Sequence, residues 1–359
     1  MKDRPTVLIF TDMDSINTAS ALKEEMLIAE PDAVVIIIDA LELYADTLKD
    51  FVEKVFGIPA NLKKRLAHLK EKLISRHVDD VGVYDNVMKP KESYKRMLNI
   101  VNRYMPGLVV SVGFGAFTEA VAVRDSGKTE PFRVVSYIPD YALNRQLVNS
   151  YLDGYVVATM GVKTSLVNSK IPEDKVIAAK YAVAGKFFDG ITREAALKIM
   201  KLPSEKPVIT LVAYSAEDLK IFDGVDLSSV TPLCYCGENR EAYSKSIDYG
   251  FYAYNEGTSA ALIYAASDAV ITPPEAYYTQ AAFKTGKIVA LTAPRDNLEK
   301  LNFRKLSPYT ESVTDNVAVV NFLRKLVAGE LIAAKPPEYG GDAGKALLSF
   351  AFTEHTYKE

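Results

Sequence analysis

Cysteine is almost missing from this chain of 359 residues: there are two, Cys234 and Cys236. Two cysteines build no disulfide framework, and zinc needs two further ligands that do not lie nearby. Both stand on the stretch Thr231-Pro-Leu-Cys-Tyr-Cys236, which reads as a strand, so their side chains share one face and belong to the core in a reducing compartment. Histidine is as scarce. His68, His77 and His355 are the whole supply, and none stands on a loop expected to carry chemistry, so no histidine serves as a base. A long apolar run is also lacking. Val7 to Phe10 is too short for a signal peptide, and the weakly charged stretch 106–122, with Glu119 inside it, falls below the ~20 apolar residues of a membrane span. A cytoplasmic location follows as the expectation. Nor is there a basic excess: the net charge of −3 argues against nucleic acid as a partner. What remains, 48% hydrophobic and 25% charged, is the composition of a soluble protein with real cores. The length favours two domains over one.

Glycine is absent where it is most expected. The apolar run Val7-Leu-Ile-Phe10 is followed by Thr11-Asp-Met-Asp-Ser-Ile-Asn-Thr-Ala-Ser, and helical spacing begins with Ala21, Leu22 and Met26. This is strand, loop, helix. The loop after the first strand of an open α/β sheet is a usual ligand site, and it usually carries glycines so that bare backbone can approach a phosphate. Here Asp12, Asp14 and Ser15 stand instead, residues that also suit a helix N-cap.

The same alternation continues along the chain. Strands are read at 6–10, 33–38, 108–112, 133–137 and 154–158, with helices at 15–29, 46–55, 61–76, 92–104, 117–126 and 162–168. After the proline-bearing link Lys201-Leu-Pro-Ser-Glu-Lys-Pro207 the pattern restarts. Strands are read at 208–212, 233–236, 269–272 and 288–291, and helices at 238–245, 259–266, 278–285 and 315–328, with a tail helix at 343–352. Val- and Ile-rich strands alternating with helices mean parallel sheets covered on both faces. The fold class is α/β, with two Rossmann-like domains whose parallel sheets face a central cleft. The expected division is 1–200, 207–335, and a tail 336–359 returning to the N-terminal domain.

Several segments occur in a telling order: Pro106-Gly-Leu-Val-Val-Ser111, Pro139-Asp-Tyr141, Asp153-Gly-Tyr-Val-Val-Ala-Thr159 and Ile171-Pro-Glu-Asp-Lys-Val176, then Cys236-Gly-Glu-Asn239, Tyr264-Ala-Ala-Ser-Asp-Ala-Val-Ile-Thr272 and Asn302-Phe-Arg-Lys-Leu306. Together, from about Val7 to Leu326, they resemble the GT-B glycosyltransferases that include monogalactosyldiacylglycerol synthase and the processive diacylglycerol glucosyltransferases. The bacterial transferase that adds N-acetylglucosamine to the peptidoglycan lipid precursor is a more distant likeness. The resemblance implies an N-terminal domain for a lipid or glycan acceptor and a C-terminal domain for a nucleotide-sugar donor such as a UDP-sugar, with no cofactor and no metal.

The family's reactive motifs are the part that departs. Its Gly-Gly-Gly-His loop is here Asp12-Met-Asp-Ser15, with Ser15 in the histidine's place. Its Asp-aromatic-x-x-His motif is Asp140-Tyr-Ala-Leu-Asn144, which keeps the aspartate and loses the histidine to Asn144. The glycine-rich donor loop becomes Ala213-Tyr-Ser-Ala-Glu-Asp218, whose added carboxylates repel a diphosphate. The Pro-Gly-Gly turn becomes Pro274-Glu-Ala-Tyr-Tyr278, and Ala281 replaces the ribose-binding glutamate. The Gly-Gln-Glu run becomes Asp296-Asn-Leu-Glu299, keeping Glu299 and, further on, Asn302. Candidate catalytic residues are therefore Asp140, Asp12 and Asp14. Candidate substrate contacts are Ser15, Asn144, Glu275 at a ribose hydroxyl, Tyr277 and Tyr278 stacking on a base or sugar, Glu299 and Asn302.

Two readings stand. One is a glycosyltransferase that moves a hexose from a nucleotide-sugar to a lipid or glycan acceptor. The other is a non-catalytic homologue that binds or regulates. A nucleotide-sugar epimerase of the same fold lacks its carboxylate and histidine pattern here. Residues 61–77 add a local signal: Leu62, Leu66, Leu69 and Leu73 share one helical face, flanked by Lys63, Lys64, Arg65, Lys70, Lys72 and Arg76. Such a helix suits an anionic membrane surface, to which the protein would attach peripherally.

Overall fold

A computed structural model of the chain describes residues 4–11, 15–40, 43, 91–113, 117–188 and 190–352. The helices expected at 46–55 and 61–76, with the basic face read over 61–77, lie outside these residues. The chain divides into two compact units, residues 1–184 with 338–359, and residues 185–337.

The first unit holds a six-stranded sheet in the order β2-β1-β3-β4-β5-β6, every pair parallel. Its strands are β1 (Thr6–Thr11), β2 (Val34–Asp39), β3 (Leu108–Val112), β4 (Arg133–Ile138), β5 (Gly154–Val157) and β6 (Val176–Ala178). Val7, Leu8, Ile9 and Phe10 are all fully buried, as a strand covered on both faces requires. Helices α1 (Ile16–Ala29), α2 (Lys91–Tyr104), α3 (Phe117–Asp125) and α4 (Met160–Asn168) connect them.

The second unit repeats the plan with the order β12-β11-β10-β7-β8-β9, again all parallel. Its strands are β7 (Val208–Val212), β8 (Thr231–Tyr235), β9 (Tyr252–Tyr254), β10 (Ala269–Thr272), β11 (Ile288–Leu291) and β12 (Glu311–Ser312). Its helices are α5 (Arg193–Met200), α6 (Arg240–Asp248), α7 (Ala260–Ala266), α8 (Ala276–Lys284), α9 (Asn297–Leu306) and α10 (Asn316–Val327). The tail helix α11 (Ala343–Ala351) packs on α1 in the first unit. Two sheets of the Rossmann-like kind are thus present as expected.

Two of the family-like segments owe their place to one device. Asp153, just ahead of β5, donates its backbone N–H to the Val134 carbonyl (2.9 Å), while its carboxylate accepts from the Val134 N–H (2.7 Å) and from Arg124 (2.6 Å). Asp268, just ahead of β10, does the same to Val208: N–H to carbonyl at 2.9 Å, and carboxylate to N–H at 2.8 Å. Arg193 grips that carboxylate through both oxygens at 2.9 and 2.8 Å. Each aspartate pins the start of a strand in register against its neighbour. Asp268→Ala leaves the Val208 N–H and the Arg193 guanidinium without their acceptor, and the half-exposed position lets water replace part of the loss. A destabilisation of about 2 kcal/mol is expected, which lowers the melting temperature by roughly 4–8 °C. Asp268→Asn should lose less, and an unchanged melt for Asp268→Ala would show that the clamp carries no stability.

Candidate functional site

In the second sheet the strand order reverses between β7 and β10. Open parallel sheets bind ligands beyond the carboxyl ends of their strands at such a reversal. Four loops leave that edge side by side: 213–218 after β7, 236–239 after β8, 273–275 after β10 and 292–296 after β11. They bring together Tyr214, Asn239, Glu275 and Arg295, which lie far apart in sequence.

The backbone donors of this edge are already taken. In the loop after β7, the Asp218 carboxylate accepts from the N–H groups of Tyr214 (2.8 Å) and Ser215 (2.9 Å). At the start of α8, the Glu275 carboxylate accepts from the N–H groups of Tyr277 (2.8 Å) and Tyr278 (2.7 Å). A loop N–H pair and a helix N-terminus are the groups that hold a diphosphate in folds of this kind. Here two side-chain carboxylates sit on them, each as an N-cap or capping box. Glu275, expected at a ribose hydroxyl, therefore has both oxygens engaged with its own helix.

Arg295 lies 4.9 Å from the centre of the Tyr214 ring, a cation–π contact. Its backbone N–H and its Nε both reach the Glu299 carboxylate, at 2.7 and 2.9 Å, and its terminal nitrogen forms a further contact with the same group. Glu299 is thus the anchor of Arg295, and Asp296 caps α9 through the Glu299 N–H (2.8 Å). Asn302 is buried on the same helix. Asn239 donates from its side-chain amide to the Tyr214 carbonyl (2.7 Å).

Behind these groups lies a tyrosine cluster with Tyr278 at its hub. Its ring meets Tyr214 at 6.2 Å, Tyr235 at 5.8 Å and Tyr277 at 5.4 Å, all edge-on, the preferred geometry of aromatic pairs. Tyr277 is buried and meets Phe187 at 6.2 Å, so its ring is core rather than a stacking platform. The Tyr235 and Tyr278 hydroxyls bond to each other, and burial pushes the pKa of both upward; both stay neutral at physiological pH.

In the first sheet the order reverses between β1 and β3. Asp12 and Asp14 lie outside the described residues. Ser15 stands at the N-cap of α1, its carbonyl accepting from the Ala19 N–H at 2.9 Å. Asp140 occupies the bend after β4 and is half-buried; its charge, after burial and alongside Glu25, helps hold the Tyr137 hydroxyl far above its usual pKa. Asn144, in the place of the family's histidine, is buried and caps the 3-10 turn Arg145–Leu147, accepting from the Gln146 N–H at 3.1 Å. Its side-chain NH2 has no hydrogen-bond partner among the described residues. No group of three or more metal-ligating side chains occurs among the described residues. No described helix is long and apolar enough to cross a membrane.

No protein-family model matches the sequence, and no curated protein does. Solved structures do match. UGT89C1 of Arabidopsis thaliana complexed with UDP-L-rhamnose is 12% identical, with 98% of this chain and 94% of that one covered at a TM-score of 0.59. UDP-GlcNAc 2-epimerase from Neisseria meningitidis bound to UDP-GlcNAc is 13% identical, covering 96% and 99%, at 0.56. MurG of Acinetobacter baumannii is 10% identical, covering 98% and 96%, at 0.53. The fold is GT-B. At these identities the likeness speaks for the GT-B fold alone and carries no ligand with it.

Tyr214, Tyr235, Asn239 and Arg295 were not among the residues read from the sequence as site candidates. Tyr214 and Asn239 stand in the family-like stretches 213–218 and 236–239, but no local spacing singles out any of the four as a site residue. The reversal between β7 and β10 gathers them, and that reversal becomes visible only with the strand order.

Proposed function

We propose that this GT-B protein is a glycosyltransferase-like homologue, similar to the diacylglycerol glycosyltransferases, that binds a lipid or glycan acceptor without transferring sugar from a tightly held nucleotide-sugar. The observation that carries this reading is the double occupation of the backbone donors by Asp218 and Glu275. A diphosphate must displace both carboxylates, and until it does their charges repel it. At ~4 Å and an effective dielectric near 20, each such repulsion is worth ~4 kcal/mol before screening. The GT-B neighbours solved with UDP-GlcNAc and UDP-L-rhamnose support a nucleotide-sugar as the ancestral ligand class. The motif resemblance supports the acceptor class. Isothermal titration of UDP and UDP-hexoses should return a Kd at or above ~1 mM, a binding free energy weaker than about −4 kcal/mol; micromolar binding would sink the reading.

Hexosyl transfer is the second reading. It is favoured by Asp140, which keeps its place in the half-buried bend after β4 and, with Asp12 or Asp14, offers a carboxylate base. A radiolabelled transfer assay on membrane lipid extracts separates the two readings. If transfer occurs, Asp140→Asn should slow it ~10²–10⁴-fold with the fold intact. Transfer that persists undiminished in Asp140→Asn and Asp12→Asn would remove the catalytic assignment of these aspartates. No transfer with any donor leaves the binding role standing.

A further inference from the structure

Cys236 opens the 236–239 loop of the site described above, and Cys234 stands two residues before it in β8, but neither thiol has a role in that site. Their sulfurs are 3.4 Å apart, inside van der Waals contact, and both face the core. We propose that the pair is a reversible dithiol–disulfide modification site, oxidised by peroxide, that repositions the loop after β8. The proposal stands on this geometry and is independent of whether the site binds a nucleotide-sugar.

Residues two apart on a strand have α-carbons about 6.6 Å apart from the rise per residue. That is the upper end of the ~4.4–6.8 Å that a disulfide spans. Bond formation must draw the sulfurs in to ~2.05 Å, so the strand end has to tighten. Its geometry allows this. Cys236 is the first residue past β8, and the next residue, Gly237, already turns the chain at φ 51°. Among the described residues β9, three residues long, forms the sheet edge outside β8; both thiols are buried, so a small oxidant must open that short edge to reach the pair. The two thiols are unequal. A hydrogen bond from Cys234 favours the Cys236 thiolate and pushes its pKa down, while the same contact pushes Cys234 up. Cys236 is the nucleophile and Cys234 the resolving thiol.

The chemistry balances with hydrogen peroxide as oxidant. The Cys236 sulfur attacks one peroxide oxygen, the O–O bond breaks, and the released hydroxide leaves as water with the thiol proton. Cys234 then attacks the resulting sulfenic sulfur; the S–O bond breaks, and a second water departs with the Cys234 proton. Two thiols and one peroxide yield one disulfide and two waters. The moving part is defined. The Cys236 N–H donates to the Tyr254 carbonyl (2.8 Å), and the Cys236 carbonyl accepts from the Asn239 N–H (2.9 Å). The Asn239 side chain holds the Tyr214 carbonyl at 2.7 Å. Tightening at Cys236 therefore pulls on the 213–218 loop.

These are the only cysteines in the chain, which makes the test unambiguous. The reduced full-length protein is treated with hydrogen peroxide, then denatured and alkylated. The expected product has lost the mass of two hydrogens and alkylates at neither cysteine, the tryptic peptide 221–240 carries the bond, and dithiothreitol restores both thiols. Cys234→Ser should stop at a sulfenic acid that dimedone traps on Cys236, and Cys236→Ser should stay unmodified. Amide hydrogen exchange over 213–218 should rise on oxidation of the wild type and not of Cys236→Ser. Untouched thiols, disulfide-linked dimers or two separately oxygenated cysteines would each overturn the proposal. A disulfide that forms without altering exchange in that loop would overturn its control of the site.

Discussion

Replacing Asp218 and Glu275 together by alanine is expected to raise the affinity for UDP at least tenfold over the wild type. In the folded chain these carboxylates hold four backbone N–H groups: Tyr214 and Ser215 in one loop, Tyr277 and Tyr278 at a helix start. Their removal frees four donors now held by carboxylate oxygens and takes away two negative charges. A charge-assisted hydrogen bond to phosphate is worth ~1.5–3 kcal/mol, and tenfold requires only ~1.4 kcal/mol, so one freed pair suffices. The cost falls on local structure, since a lost N-cap destabilises by about 1 kcal/mol. The variant should melt a few degrees lower while binding better, a combination that no general loosening of the fold produces. Isothermal titration of UDP into wild type, both single variants and the double variant checks it. Equal, immeasurable binding in all four would show that the carboxylates are not what excludes the diphosphate.

The second large effect is steric. A side chain on Gly344 would place its β-carbon 2.6 Å from the Glu25 β-carbon and 2.7 Å from the Met26 backbone nitrogen. Neither can step aside without moving α1. The Gly344 N–H also donates to the Glu25 carboxylate at 2.8 Å. Gly344→Val should therefore lift α11 from α1 and expose Leu347 and Leu348, now buried. The expected loss is ~3 kcal/mol or more, a melting temperature lower by roughly 6–12 °C, with fast proteolytic cleavage near residue 338. Gly341 is the control, because an added β-carbon there meets nothing within 4 Å; Gly341→Ala should behave as wild type. If Gly344→Val melts like Gly341→Ala, the helix does not depend on that contact.

The two parallel sheets were legible because strands such as Val7-Leu-Ile-Phe10 and Val208-Ile-Thr-Leu-Val212, with Thr210 its one polar residue, are near-continuous apolar runs buried on both faces. The elements the sequence reading passed over are of another kind. β6, β9 and β12 hold three, three and two residues, too few for any periodicity to register, and their pairing partners create them. Helices α5 and α9 were passed over too, although Thr192 and Asp296 cap their starts; α5 runs straight into the proline-bearing link 201–207, and α9 follows the turn that holds Pro294. At the site, the missing glycines of 213–218 were plain, and so was the surplus of acid. That Asp218 folds back on its own loop was not, because an aspartate three residues into a turn reads equally as a charge that repels and as a cap. Tyr214, Tyr235 and Arg295 share no spacing with the candidate Tyr278; the pairing of β7 with β8 sets the first two side by side, and the crossing from β9 to β10 brings Tyr278 and Arg295 to them. Asn144 read as a vestige of a proton-handling motif, and it sits in the structure as the cap of a buried turn.

The division of the chain has a consequence for biosynthesis. The first unit is built from residues 1–184 and 338–359, so the seat of α11 on α1 stays bare while the roughly 150 intervening residues emerge. At ~5–20 residues per second this interval lasts about 8–30 s. For that time α1 presents the surface that will receive Leu347 and Leu348 to the ribosome exit and to any chaperone there. The second unit, continuous from 185 to 337, is free to fold first. The order of maturation then runs against the order of synthesis: the half that begins the chain is the last to close.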